Sequence, residues 1–375
     1  MSLYDEITKA RMQVHTDSYP MSIGELVNLY KDRDLEIYPE FQRIYRWTDE
    51  QKSKLIESIL LGIPLPSIFV SQREDGVWDV VDGLQRISTI FSFLGELRGV
   101  NGQTLPPLEL LSTKYLPSLH GKVWKDESNP DREIDSDIKR IFKREKLDIK
   151  IIKRESEGDT KFELFQRLNT GGTKLSDQEV RNCILLMINP DAFQWMQSLT
   201  RNPNFIEAIS ISEKQVQESY DQELALRFIT QRHYSEALMK EHRDVGPYLD
   251  AELNRIFSSS SDVINFDHEQ KIFEITFDLF NRALADYSFK KFNHDKGRPE
   301  GAISIPVFEA MSSSVSFYVE DNLDKLDEEF ILHKIIEMNK ALTQSPEFKE
   351  DVLDKKKRPL NRMISMIELG RTLIQ

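Results

Sequence analysis

Asp82-Gly83-Leu84-Gln85-Arg86 places a carboxylate, an amide and a guanidinium around one glycine. The apolar run Trp78-Asp79-Val80-Val81 gives way there to a helix-period run. Gly83 permits a sharp turn and a close backbone approach to a ligand. The first turn of a helix presents unpaired N–H groups and a positive dipole end, and both favour an anion. The set suits a phosphate-bearing molecule, with Asp82 holding a metal or orienting a water. On this run alone a second reading stays open, a strand-to-helix turn whose polar residues cap the helix.

Two further stretches carry similar chemistry: Gln42-Arg43 with Arg46, and Asn169-Thr170-Gly171-Gly172. Guanidiniums match phosphate oxygens through paired hydrogen bonds. Glycine-rich backbone lets N–H groups approach a phosphate. If the three stretches converge, they form an anion pocket with two or three guanidiniums and one carboxylate. The expectation is that Asp82, Gln85 and Arg86 face the same cleft as Arg43 and Asn169.

The elements that must position these residues follow from periodicity. A Ser22-x-x-Glu25 capping box opens a helix over 22–30, and 35–38 reads as a short strand. Thr48-x-x-Gln51 caps a helix with Leu55, Ile56, Ile59 and Leu60 on one face; Gly62, Pro64 and Pro66 end it. Residues 67–71 and 77–81 read as strands of a hairpin turning at Glu74-Asp75-Gly76. The helix after Asp82 carries Ile87, Ile90, Phe91 and Leu94. Residues 99–129 are loop-rich and read as an insertion over the site, and 147–152 alternates as a strand. Residues 161–168 read as a helix before the glycine loop, and Ser176-x-x-Glu179 caps the next helix, with Val180, Cys183, Ile184 and Met187 on its apolar face. From about residue 190 strand signals nearly vanish and helix-period segments follow one another, as in 218–232, 272–285, 306–318 and 328–342. This gives an α+β chain: a small mixed-sheet domain over 1–200, then an all-helical domain over 201–375.

Composition excludes several classes. The 375 residues suit two domains, and 39% hydrophobic with 30% charged residues can bury a sizeable core. No apolar run reaches membrane-spanning length, and Met1-Ser2-Leu3-Tyr4-Asp5-Glu6 lacks the features of a signal peptide, so the expected location is cytoplasmic. One cysteine, Cys183, rules out a disulfide framework or thiolate cluster. The seven histidines are scattered without metal-ligand spacing. A net charge of -13 argues against DNA binding by bulk electrostatics. Any nucleic-acid contact must come from a partner chain or a local basic patch, and the best patch is Lys139, Arg140, Lys143, Arg144, Lys146, Lys150, Lys153 and Arg154. His294, with Lys290, Lys291, Lys296 and Arg298, reads as a solvated loop.

These residues resemble the ParB-like nuclease-fold family typified by GmrS-type domains, the N-terminal part of the GmrSD restriction enzymes. The matching pieces are Phe41-Gln42-Arg43-x-Tyr45-x-Trp47, Ile56-Glu57-Ser58-Ile59-Leu60-x-Gly62-x-Pro64-x-Pro66 and Val81-Asp82-Gly83-Leu84-Gln85-Arg86. Further on, Phe165-x-Arg167-Leu168-Asn169-x-Gly171-Gly172-x-x-Leu175-Ser176-x-x-Glu179-x-Arg181-Asn182 resembles a later family segment. The likeness covers roughly the first half of the chain. The family signature is Asp-Gly-Gln-Gln-Arg, and Leu84 replaces its first glutamine. If that amide touches the nucleotide, turnover is affected; if the side chain points to the core, Leu84 is harmless.

The resemblance implies a ParB/sulfiredoxin-like fold and a component of a bacterial anti-phage or modification-dependent restriction system. Such a component binds a nucleoside triphosphate with Mg²⁺ and hydrolyses it to license DNA cleavage. Asp82, Gln85 and Arg86 would be catalytic, with Asp82 on Mg²⁺. Gln42, Arg43, Arg46, Gly83, Asn169, Gly171 and Gly172 would bind the nucleotide. The His-Asn-His nuclease motif that some members carry is missing here, which implies a separate nuclease subunit; a homo-oligomer is a further expectation. The alternative is a non-catalytic DNA-recognition or scaffold module that recruits a nuclease, with Tyr45 and Trp47 stacking bases.

Overall fold

Alternation of buried and exposed positions in Leu147-Asp148-Ile149-Lys150-Ile151 marks a strand with one face on a core, the odd-numbered residues turned inward. The computed structural model describes residues 4, 16–37, 47–73, 75–99, 102–153, 176–258, 261–353 and 357–374. The chain separates into two compact units, Met1–Lys174 and Leu175–Gln375.

In the first unit the elements are β1 (Thr16–Ser22), α1 (Ile23–Asp32), β2 (Leu35–Glu36), α2 (Asp49–Leu60), β3 (Ile68–Gln72), β4 (Trp78–Asp82), α3 (Leu84–Leu94), α4 (Ser136–Arg144) and β5 (Lys146–Ile152). The sheet order is β1-β5-β3-β4-β2. β3 pairs antiparallel with β4 and parallel with β5; β1 is antiparallel to β5, and β2 parallel to β4. The sheet is therefore mixed. Sequence reading finds β2, β3, β4 and β5 but not β1, which contains Pro20. A proline lacks a ladder donor and is tolerated at an edge, which is where β1 lies.

The inner face contributes Ile68, Val70, Val80, Leu147, Ile149 and Ile151 to one core with Leu26 and Tyr30 of α1, Leu55, Ile56 and Ile59 of α2, and Ile87, Ile90, Phe91 and Leu94 of α3. Tyr30 stacks on Phe91 with centroids 4.4 Å apart. Burial of such side chains, about 1.5–3 kcal/mol each, holds the layers together. Thr48 with Gln51 makes the expected reciprocal box, whereas at Ser22 only one half of the expected box forms, Ser22 accepting from Glu25 N.

The loop-rich stretch after α3 is fastened to α3 and α2. Leu108 N bonds Ser92 O near the far end of α3 (3.0 Å). Glu57 of α2 accepts from Tyr115 N and Leu116 N (2.8 and 3.0 Å). Leu108, Leu110 and Leu119 of this stretch lie in the core. Burial of those leucines draws the segment inward, so it reads as a structural strap.

The second unit contains α5 (Asp177–Ile188), α6 (Pro190–Thr200), α7 (Pro203–Ile209), α8 (Glu213–Gln217), α9 (Tyr220–His233), α10 (Glu236–Glu241), α11 (Val245–Phe257) and α12 (Phe266–Leu284). It continues through β6 (Lys290–Asn293), β7 (Arg298–Ile303), α13 (Ile305–Asp321), α14 (Glu328–Leu342) and α15 (Pro359–Ile374). The sequence boundary at residue 200 falls at the end of α6, inside this unit. Ser176 and Glu179 form the expected reciprocal box on α5. The expected all-helical character needs one correction. β6 and β7 form an antiparallel hairpin over the segment read as a basic loop, turning where Gly297 has φ 67°. Its short strands are half-exposed and lack apolar alternation, so periodicity does not reveal them.

Phe205, Phe228, Phe273 and Phe277 pack ring against ring, with Phe205–Phe277 centroids 4.8 Å apart. α13 is lined with fully buried Ser312, Ser313, Ser314 and Ser316. Ser313 and Ser314 satisfy their hydroxyls on the carbonyls of Glu309 and Ala310 (2.6 and 2.7 Å). Small residues let α15 approach so closely that a methyl on Gly370 would strike the Ala310 carbonyl oxygen and the Ser314 hydroxyl. Gly370→Ala is therefore expected to lower stability by about 1–3 kcal/mol. An unchanged urea midpoint would show that the two helices do not meet at Gly370.

Candidate functional site

Val80 and Val81 are both buried, although neighbours in a regular strand point to opposite faces. The register explains this. Phe69 pairs with Asp82 and Val70 with Val80, so Val81 is the extra residue of a β-bulge. Bulges re-aim the adjoining side chain, and the one re-aimed here is Asp82. The chain then turns through Gly83, at φ 92° and ψ 13°, into α3. Gly83 is the cap residue and contributes no side-chain acceptor. A methyl group there would lie 2.9 Å from Ile68 Cγ1 and 3.3 Å from Arg86 Nη2. Backbone sign and lack of space both demand glycine.

Arg86, one turn into α3, reaches back. Its Nη2 donates to Asp82 Oδ2 at 3.0 Å. Its Nη1 donates to the carbonyl oxygens of Pro66 and, at 3.2 Å, Ser67. Both side chains are largely removed from solvent. Burial raises the Asp82 carboxyl above its ordinary value, opposed by the Arg86 charge and by the Gly83 N–H. Burial likewise lowers the Arg86 guanidinium, opposed by Asp82. The result is a half-buried carboxylate, held at the start of a helix by a guanidinium whose terminal nitrogens bond protein.

Gln85 Oε1 accepts from Trp47 N at 3.3 Å. This bond brings the last residue of the Phe41–Trp47 motif to the start of α3. Gln42, Arg43 and Arg46, like Asn169, Gly171 and Gly172, lie outside the described residues. The common cleft expected for Arg43 and Asn169 with Asp82 therefore lies outside them too, as does the helix expected over 161–168. Leu84 is half-buried against the core, which answers the question its substitution raised: the side chain points inward.

Three residues at the same end of the sheet escaped the sequence reading. Ser67 Oγ donates to Asp148 Oδ2 at 2.6 Å, and Ser18 Oγ to Asp148 Oδ1 at 3.1 Å. The Ser67 hydrogen bond is the main cause that holds the Asp148 carboxyl below its usual range. The available signal was a lone acid at an outward position of β5, which alternation alone cannot tell from ordinary surface polarity.

The basic stretch is divided between α4 and β5. Lys139 pairs with Glu133 (2.7 Å), Arg140 with Asp137, and Lys153 with Asp17 (3.3 Å). Lys150 lies 5.5 Å above the Phe69 ring. Arg154 lies outside the described residues. Farther along, His268, Glu269 and Glu320 offer atoms within 4.8 Å of one another. Arg232 donates to both carboxylates and so holds the place of a cation. With Arg232 and His233 bonded to it, Glu269 titrates at about 2, against the upward pull of its burial.

Residues 23–186 match the family model described as GmrSD restriction endonuclease, N-terminal domain, and the chain thus carries a GmrSD-type N-terminal domain. No curated protein and no solved structure matches the chain. Among the described residues no helix is long and apolar enough to cross a membrane.

Gly83→Ala is expected to cost about 1–3 kcal/mol through strain at positive φ and the contact with Ile68. Chemical denaturation checks this. A variant as stable as the parent would mean that the turn has another conformation.

Proposed function

We propose that this GmrSD-type domain binds a nucleoside triphosphate at the β4–α3 turn and hydrolyses it. The match to the GmrSD N-terminal domain supports a component of a restriction system. In our reading that system is a bacterial anti-phage one, and hydrolysis licenses cleavage of DNA by a separate nuclease. The observation that carries the proposal is the Asp82–Arg86 pair: a half-buried carboxylate beside an uncapped helix start, positioned by a bulge and a positive-φ glycine.

Mg²⁺ enters with the triphosphate as part of the substrate. Such an ion is commonly held by one or two carboxylates together with phosphates. Among the described residues no three-ligand group includes Asp82. The donor set thus suits an ion carried chiefly by the nucleotide. Asp82 contacts that ion or orients the water that attacks the terminal phosphorus, and the bond to the bridging oxygen breaks to give the diphosphate and inorganic phosphate. Arg86 keeps the carboxylate aimed. Gln85 fastens Trp47 beside the turn. Gln42, Arg43 and Arg46 are assigned to the phosphates, as are the backbone groups of Gly83, Gly171 and Gly172, and Asn169 to the substrate.

Asp82→Asn preserves shape and is expected to reduce nucleotide turnover by about 10²-fold or more with little change in the unfolding midpoint. The pH profile supplies a second check. Asp82 must be ionised to work, so activity is lost as pH falls through its pKa. Burial moves that limb to higher pH than an ordinary aspartate would give. Arg86→Ala removes the opposing charge and should move the limb higher. It should also cost about 1 kcal/mol, because half-buried Asp82 and the partly exposed carbonyls of Pro66 and Ser67 lose their donor. Near-normal turnover in Asp82→Asn would reduce the carboxylate to a structural role.

A further inference from the structure

Arg86 can aim Asp82 only if its own anchor is fixed. That anchor is the pair of carbonyls at Pro66 and Ser67, in the stretch joining α2 to β3. Ser67, whose carbonyl receives Arg86 of α3, is also bonded through its side chain. Its position is set from β5, where Asp148 Oδ2 accepts the Ser67 hydroxyl at 2.6 Å. Asp148 is in turn held from the edge strand, Ser18 Oγ donating to Oδ1 at 3.1 Å. The two oxygens of one carboxylate thus clasp β1 and the start of β3, and the backbone of the clasped serine receives Arg86. The sequence separations, 130 for Ser18–Asp148 and 81 for Ser67–Asp148, mean that only the folded sheet assembles this chain of bonds.

We propose that Ser67 and Asp148 are positioning residues for the Asp82 site, acting through the Ser67 carbonyl on Arg86. The inference rests on the reading of Asp82 given above. Three features support a directed role over general sheet stability. The bonds form one path, Ser18–Asp148–Ser67–Arg86–Asp82, and it ends on the working carboxylate. The bond in its middle is short, with a charged acceptor. Asp148 also lies on the outward face of β5, away from the apolar core, so its carboxylate contributes little to packing. The Ser67 hydrogen bond above all holds its carboxyl below the ordinary aspartate value, which favours the charged form that accepts both hydroxyls.

The test uses the full chain with arginine guanidiniums labelled with ¹⁵N. In the parent protein, the two Nη signals of Arg86 should be separate, because bonds to fixed carbonyls and to Asp82 slow rotation of the guanidinium. Ser67→Ala and Asp148→Asn should each broaden or merge those signals. Each should also lower turnover of a Mg²⁺-nucleoside triphosphate by about tenfold, with KM unchanged, as a misaimed catalytic group does. Ser67→Thr, which keeps the hydroxyl, should restore both. Unaltered Arg86 signals in both variants would overturn the clasp. Altered signals with normal turnover would overturn its role in the reaction. A parent protein that turns over no nucleotide would defeat the functional reading by itself, and the Arg86 signals would still decide whether the clasp exists.

Discussion

The β4–α3 turn depends on one steric constraint: at Gly83 the backbone passes so close to Ile68 that no side chain fits. With positive φ at that residue the strand ends, the helix starts, and Asp82 and Arg86 fall one turn apart. The bulge at Val81 serves the same geometry from the strand side, freeing the Asp82 side chain while Val80 and Val81 both stay buried. A strand, a helix and the stretch before β3 are thereby tied at one point by a single guanidinium.

Arg86 shows why residue type alone does not assign a role. Sequence presents it as a phosphate clamp, since a guanidinium near a helix start suits an anion. In the fold its terminal nitrogens bond two carbonyls and a carboxylate. Its contribution to phosphate chemistry then runs through Asp82. Other arginines in the protein behave alike. Arg73 bonds Asp79 through two nitrogens at 2.7 and 2.6 Å, and buried Arg181 bonds Asp250 at 2.7 Å. Arg227 joins Glu223 and Glu309, whose carboxyl burial pushes up to about 7. Much of the strongly charged composition is spent within the fold, as ion pairs.

What was legible in the sequence was local. The boxes at Thr48 and Ser176, the cap at Ser22, the hairpin around Gly76 and the Asp82–Gly83 turn each announce themselves within a few residues, because caps and turns have fixed chemistry. Helices such as Glu328–Leu342 follow from period alone. What was not legible depends on distant partners. β1 carries a proline and becomes a strand only beside β5; the β6–β7 hairpin has no apolar face to betray it. Asp148 becomes part of the site only when the sheet brings Ser18 and Ser67 to it.

The central claim is that the β4–α3 turn receives the phosphates of a nucleotide. The direct measurement is a titration of the ¹⁵N-labelled full chain with a non-hydrolysable nucleoside triphosphate and Mg²⁺, following backbone amides. The account predicts saturable shifts at Gly83, Gln85 and Trp47, absent when the nucleoside alone replaces the triphosphate. Saturable binding that leaves these three amides unmoved, or no binding by any of the common nucleoside triphosphates, would contradict it.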